Sequence, residues 1–225
     1  MLEPIENLAS ADAGSPLDDL LFARVAKDIE TQGYSVQPGA LPNHIADVLF
    51  QHQQLMDGYQ YNDAGVGRGD GFLRTEFVRN DEICWISGES PAGQLWLDWA
   101  GLLQRYLNRR LFLGLFSFES HFAHYAPGHY YKRHYDAFRG QANRVLSVAA
   151  YLNKGWVSSH AGELVIYRDE DDRSGIKVAP LYGTLVVFLS EQFPHEVLPA
   201  GRDRYSVAGW FRVNSSLGGK VDPPG

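Results

Sequence analysis

From Leu115 onward the chain is a series of short period-two segments broken by turn residues, and this limits its fold more than any other feature. Phe116, Phe118, Ser120, Phe122 and His124 alternate with Ser117, Glu119, His121, Ala123 and Tyr125, as residues on opposite faces of a strand do. Pro127-Gly128 makes a turn, and extended structure resumes over 130–136. A polar turn at 139–143 precedes a buried strand at 145–152. Strand patterns follow at 163–167, 176–178, 184–189 and 205–213, with an acidic turn, DEDDRSG, from Asp169. Strands this short and closely spaced predict a β-sandwich or barrel.

The first half reads as helical support. Ser15-Pro16 supplies an N-cap and a first-turn proline, and Leu17, Leu20, Leu21, Ala23, Val25 and Ile29 predict one apolar face before Gly33. A short strand is expected at 34–36 and a second helix from Pro42 to about Met56. Ser90-Pro91 opens a third helix, whose stripe of Leu95, Trp96, Trp99, Leu102, Leu103, Tyr106 and Leu107 is a packing face. Between the second and third helices, glycines interrupt polar and basic residues over about 57–76, which predicts a long mobile loop over a substrate. Its GVGRG piece is no phosphate loop, because neither a Lys-Ser/Thr pair nor a strand–loop–helix frame accompanies it. Residues 76–79 and 83–86 read as strand material leaving the loop. The expected organisation is a flexible arm at 1–14, one domain at 15–214 (helical support 15–112, β core 113–214) and a flexible tail at 215–225.

Composition narrows the function. A net charge of −7 argues against nucleic acid as partner, although Arg68, Arg74 and Arg79 fall close together. The single cysteine, Cys84, allows no internal disulfide and no cysteine-based zinc site. Neither a signal peptide nor a membrane span is legible, so a cytoplasmic protein is expected.

The chemistry centres on His134-Tyr135-Asp136. Side chains two apart share a strand face, so this imidazole and carboxylate can point at one metal. Alone, H-x-D fits any divalent cation or none. His195 follows the apolar strand GTLVVFLS, at its end or in the next loop, and would complete two His and one carboxylate, the facial set that suits Fe(II) oxygenases. Arg204 lies nine residues beyond His195 and starts an apolar strand. A guanidinium directed into a barrel needs an anion, and Ser206 on the same face offers a hydroxyl beside it.

This order resembles the Fe(II)/2-oxoglutarate-dependent dioxygenases, in particular the prolyl 4-hydroxylase branch that includes the EGL-nine (SM-20-like) enzymes and bacterial prolyl hydroxylase domain proteins. The segments that carry it are YAPGHYYKRHYD (125–136), VAAYLNKGW (148–156), GELVIY (162–167), LVVFLSEQFPHEVLPA (185–200), RYSVAGWF (204–211) and VRNDEICWI (78–86), within about 59–213.

The resemblance implies a mainly β fold with N-terminal helices, a double-stranded β-helix of jelly-roll or cupin type. It implies that His134, Asp136 and His195 bind Fe(II). Arg204 would hold the distal carboxylate of 2-oxoglutarate, with Tyr125, Tyr151, Ser206 and Trp210 around the cosubstrate and metal. Arg144, Tyr131 and Arg79 would lie on the substrate side. O2 is the oxidant, succinate and CO2 are products, and ascorbate is a candidate reductant. The implied substrate is a proline in a protein, with elongation factor Tu as candidate partner. The alternatives are the same chemistry on another side chain or a small molecule, or a non-catalytic binding module. Nucleic-acid demethylation fits less well, because Trp210 stands where that branch carries a second arginine. Halogenation is disfavoured because Asp136 fills the carboxylate position.

Overall fold

A computed structural model of the chain describes residues 15–56, 61–63, 79–137 and 143–214. The expected arm, the expected tail and most of the glycine-rich stretch lie outside the described residues, as do 76–78.

Helix α1 (Pro16–Gln32) begins on a capping box. The Ser15 hydroxyl accepts from the Asp18 amide, and the Asp18 carboxylate accepts from the Ser15 amide, both at 3.2 Å. Gly33, at φ +80°, closes the helix in the left-handed conformation that glycine tolerates best. The buried face is Leu21, Phe22, Val25, Ala26 and Ile29, while Leu17, Leu20 and Ala23 face solvent, contrary to the sequence reading. Asp18 explains the difference. Its carboxylate is buried and accepts from the Trp99 indole at 2.9 Å, which rotates the inward face away from Leu17 and Leu20. Strand β1 (Tyr34–Gln37) and helix α2 (Asn43–Leu55) follow, then β2 (Asn62–Asp63), β3 (Glu82–Trp85) and helix α3 (Pro91–Leu111). Ser90 caps α3 by accepting from the Gly93 amide, and Arg109 and Arg110 occupy its last turn, where cations favour the helix dipole.

The remaining strands are β4 (Leu115–Tyr125), β5 (Tyr131–His134), β6 (Arg144–Tyr151), β7 (Leu164–Ile166), β8 (Ile176–Val178), β9 (Leu185–Leu189), β10 (His195–Val197) and β11 (Arg204–Val213). Among the described residues they form two antiparallel sheets, a seven-stranded one in the order β1-β9-β6-β11-β4-β3-β2 and a four-stranded one in the order β5-β10-β7-β8. The two sheets are the walls of a double-stranded β-helix.

Two apolar layers hold this together. The three helices pack on the outer face of the large sheet through Phe22, Leu49, Trp96, Leu103, Phe122, Val148, Val207 and Phe211. The inner face meets the small sheet through Ala123, Tyr125, Tyr151, Val186 and Phe188 against Leu164, Ile166, Val178 and Val197. Gly209 lets β11 and β4 approach, since a Cβ there would sit 2.7 Å from the Glu119 carbonyl oxygen. No described helix is long and apolar enough to cross a membrane.

Candidate active site

The inner face of the large sheet is a lattice of aligned rows. Along β11, Arg204, Ser206, Ala208 and Trp210 share it by alternation. The register sets Arg204 opposite Tyr125, Ser206 between Ala123 and Tyr151, Ala208 between His121 and Ala149, and Trp210 between Glu119 and Ser147. Strand β3 extends the rows, pairing Ile83 with Ala123 and Trp85 with His121. One end of this face thus carries Arg204 and two tyrosines, and the other carries Trp210, His121 and Trp85.

The small sheet supplies the histidines. His195 opens β10, a strand of its own, where the sequence reading put it at a strand end or in a loop. The reason is pairing on both sides, with His134 of β5 and Ile166 of β7 as Cα partners. His134 Nε2 lies 3.6 Å from Asp136 Oδ1, and His195 Nε2 lies 3.5 Å from Asp136 Oδ2. One donor atom from each of the three falls within 4.8 Å of the others, the only such His/Cys/Asp/Glu group found among the described residues. The Nδ1 atoms face the backbone carbonyls of Lys132 at 2.8 Å and Phe193 at 3.1 Å. Each Nδ1 therefore carries the proton and donates it, which leaves Nε2 with a lone pair toward the centre.

Electrostatics keep His195 and Asp136 in their ligating forms. Burial pushes the His195 imidazole down to about 4 despite the nearby Asp136 carboxylate, so it is neutral near pH 7. Burial alone would raise the Asp136 carboxyl, but His195, His134 and the Ser147 hydrogen bond outweigh it and hold it well below the usual carboxylate range. Imidazole nitrogens with one carboxylate oxygen are of borderline hardness and suit Fe(II).

At the other end, Arg204 is 2% exposed. Its Nε donates to the Gly162 carbonyl at 2.9 Å, and its guanidinium lies 5.0 Å from the ring centres of both Tyr125 and Tyr151. Among the described residues no carboxylate pairs with it, and the buried Tyr151 hydroxyl feels its charge. Burial raises both phenols, so they remain neutral donors. A buried cation beside a buried phenol hydroxyl is a cradle suited to an anion, and a dicarboxylate such as 2-oxoglutarate fits it.

The expected substrate-side residues gather around the triad. Tyr131 stacks on His134 with ring centres 3.5 Å apart, and the Arg79 guanidinium sits 4.4 Å from the Tyr131 ring centre. Arg79 is held by buried Asp81 through bonds of 2.7 and 2.6 Å. Arg144 lies 3.7 Å from the Trp210 ring centre, bonds Glu119 at 2.9 Å and reaches the Asp136 carbonyl at 3.5 Å. Trp210 is thus beside Arg144 and His121, six residues along β11 from Arg204, and not beside the anion cradle. Sequence reasoning missed Asp81, Glu119, His121 and Ser147. Only the last three carried a signal, a polar residue on the inward phase of an apolar strand.

The 2OG-Fe(II) oxygenase superfamily model matches residues 120–212. A prolyl-4-hydroxylase structure from Pseudomonas putida is 40% identical with a TM-score of 0.75, covering 86% of this chain and 99% of that one. The chain belongs to the 2OG-Fe(II) oxygenase superfamily, in its prolyl hydroxylase branch. Mouse prolyl hydroxylase EGLN3 is 30% identical over 73% of this chain and 71% of its own length. Human Egl nine homolog 1 is 28% identical over 60% of this chain. The match spans only 33% of that longer protein.

Proposed function

We propose that this chain is an Fe(II)- and 2-oxoglutarate-dependent dioxygenase that hydroxylates a prolyl residue in a protein. The observation that carries the proposal is the placement, against the one apolar layer between the two sheets, of the His134–Asp136–His195 donor set and the buried Arg204. Bound Fe(II) with O2 and 2-oxoglutarate supplies the oxidising power, turning the keto acid into succinate and CO2 as a hydroxyl is added to substrate.

The chain's own residues do the rest. Arg204 and the Tyr151 hydroxyl bind the distal carboxylate and aim the keto-acid end at the triad, with Tyr125 and Ser206 alongside. The apolar inner layer around Val186, Phe188 and Ile166 excludes water from the reacting face. Trp210, His121 and half-exposed Trp85 form an aromatic wall on the substrate side. A proline ring suits such a wall, having apolar faces and no charge. Arg144, Tyr131 and Arg79 border the same opening.

Elongation factor Tu is the candidate target and ascorbate the candidate reductant, both carried over from the family resemblance of the sequence, and the cytoplasm is the proposed compartment. The test is succinate release from 2-oxoglutarate with Fe(II), followed by mass spectrometry of a treated cell extract. The expected result is one added oxygen atom on a proline. The oxygen on another residue would refute the prolyl assignment, and no metal-dependent turnover would leave only a binding module.

A further inference from the structure

Ser147 sits in the middle of β6 and Ser190 directly after β9, both among apolar neighbours such as Leu146, Val148 and Val187. Their side chains are almost wholly buried, at 2% and 0% exposure. A hydroxyl in such surroundings is costly unless its bonds are made. The Ser147 hydroxyl donates to Asp136 Oδ2 at 2.6 Å and lies 2.9 Å from the Ser190 hydroxyl. An ionised carboxylate can only accept, so the direction is fixed: Ser190 donates to Ser147, and Ser147 donates to Asp136. The Ser190 amide in turn donates to the Val145 carbonyl at 3.0 Å, which locks the two serines in register.

We propose that Ser147, backed by Ser190, is a positioning residue that holds Asp136 as a one-oxygen ligand. The proposal rests on the metal reading above. A carboxylate free to turn can chelate a cation through both oxygens and fill a position needed by cosubstrate or oxygen. With Oδ2 engaged by a short charge-assisted bond, Oδ1 is the oxygen that would be freer to ligate a metal. The relay polarises each hydroxyl in turn, which strengthens the hold. Asp136 lies beyond the end of β5, outside any strand, so backbone pairing alone does not fix its carboxylate.

The test uses the full metal-free chain titrated with Co(II), and then with Fe(II) under anaerobic conditions. Ser147→Ala should weaken metal binding about 10–100-fold, the usual cost of losing a partner of a ligand. Infrared difference spectra should show the separation between the two carboxylate stretching bands narrowing in Ser147→Ala, the mark of two-oxygen binding. Ser147→Thr keeps the hydroxyl and should restore both affinity and band separation. Ser190→Ala should fall between, and the melting temperatures of the metal-free variants report on folding. Wild-type metal affinity and band separation in Ser147→Ala, or failure of Ser147→Thr to rescue, would overturn the proposal. A wild-type chain that binds neither metal would instead sink the underlying metal reading.

Discussion

The two sheets build their halves of the site by different means. The large sheet places Arg204, Tyr125, Tyr151 and Ser206 on strands of eight to eleven residues, each paired on both sides or nearly so and backed by three helices. The small sheet places His134 and His195 on strands of four and three residues. The anion cradle is therefore pre-formed by the fold, whereas the metal ligands depend on one another and on short-range ties. Behind the histidines, Arg133 lies over Tyr167 at 3.3 Å and donates to the Glu170 and Asp172 carbonyls, while the Tyr167 hydroxyl bonds Glu196. That stitch joins the residue before His134 to the residue after His195.

This contrast can be broken experimentally. The largest effect is expected for His195→Ala, which should lose more metal affinity than the roughly 10–100-fold typical of an outer-shell partner, with little change in the melting temperature of the metal-free chain. Equilibrium metal titration checks it. Next, Arg204→Met should raise the KM for 2-oxoglutarate about 100-fold, through loss of charge-assisted bonds, while leaving metal affinity within a few-fold. Initial-rate kinetics against 2-oxoglutarate measure it, and an equal loss of metal affinity would mean that the two halves are not separately built.

A third prediction concerns the large sheet's own weak point. His121 is buried with Nδ1 unpartnered, and burial, with nearby Arg79, pushes its imidazole down to about 4. The unfolded chain titrates near 6.5, so between these values it binds the proton and the folded chain does not. The stabilisation of the fold by a neutral His121 is complete above about 6.5 and declines by about 3 kcal/mol as pH falls toward 4. Denaturant titrations of His121→Phe should show a correspondingly flatter acid limb. The smallest effect is expected for Tyr167→Phe, which removes one hydrogen bond worth about 1 kcal/mol. It should weaken metal binding a few-fold and speed amide exchange in β5 and β10 while leaving β4, β6 and β11 unchanged.

Much of this was legible in the sequence, for reasons the two sheets make plain. Ser15-Pro16 and Ser90-Pro91 encode helix starts locally, and long alternating runs such as β4 and β11 reveal their phase unaided. Arg204 stood out because a charge at the start of an apolar strand needs an explanation. His195-Glu196-Val197, directly after Pro194, carries no clear alternation, so β10 could not be told from a loop until its partners β5 and β7 were known. Leu17 and Leu20 misled because a buried Asp18, satisfied by Trp99 far along the chain, decides which way α1 faces. Ser147 escaped notice because its partner Asp136 is a neighbour only in space.

The central claim is that the anion cradle and the metal centre serve one ligand. Calorimetric binding of 2-oxoglutarate to the chain with and without Fe(II), under anaerobic conditions, tests it most directly. Metal should tighten 2-oxoglutarate binding in the wild type, and His195→Ala should abolish that gain while keeping the weak metal-free binding at Arg204. Equal affinity with and without metal would contradict the account, since the keto acid would then bind without touching the iron.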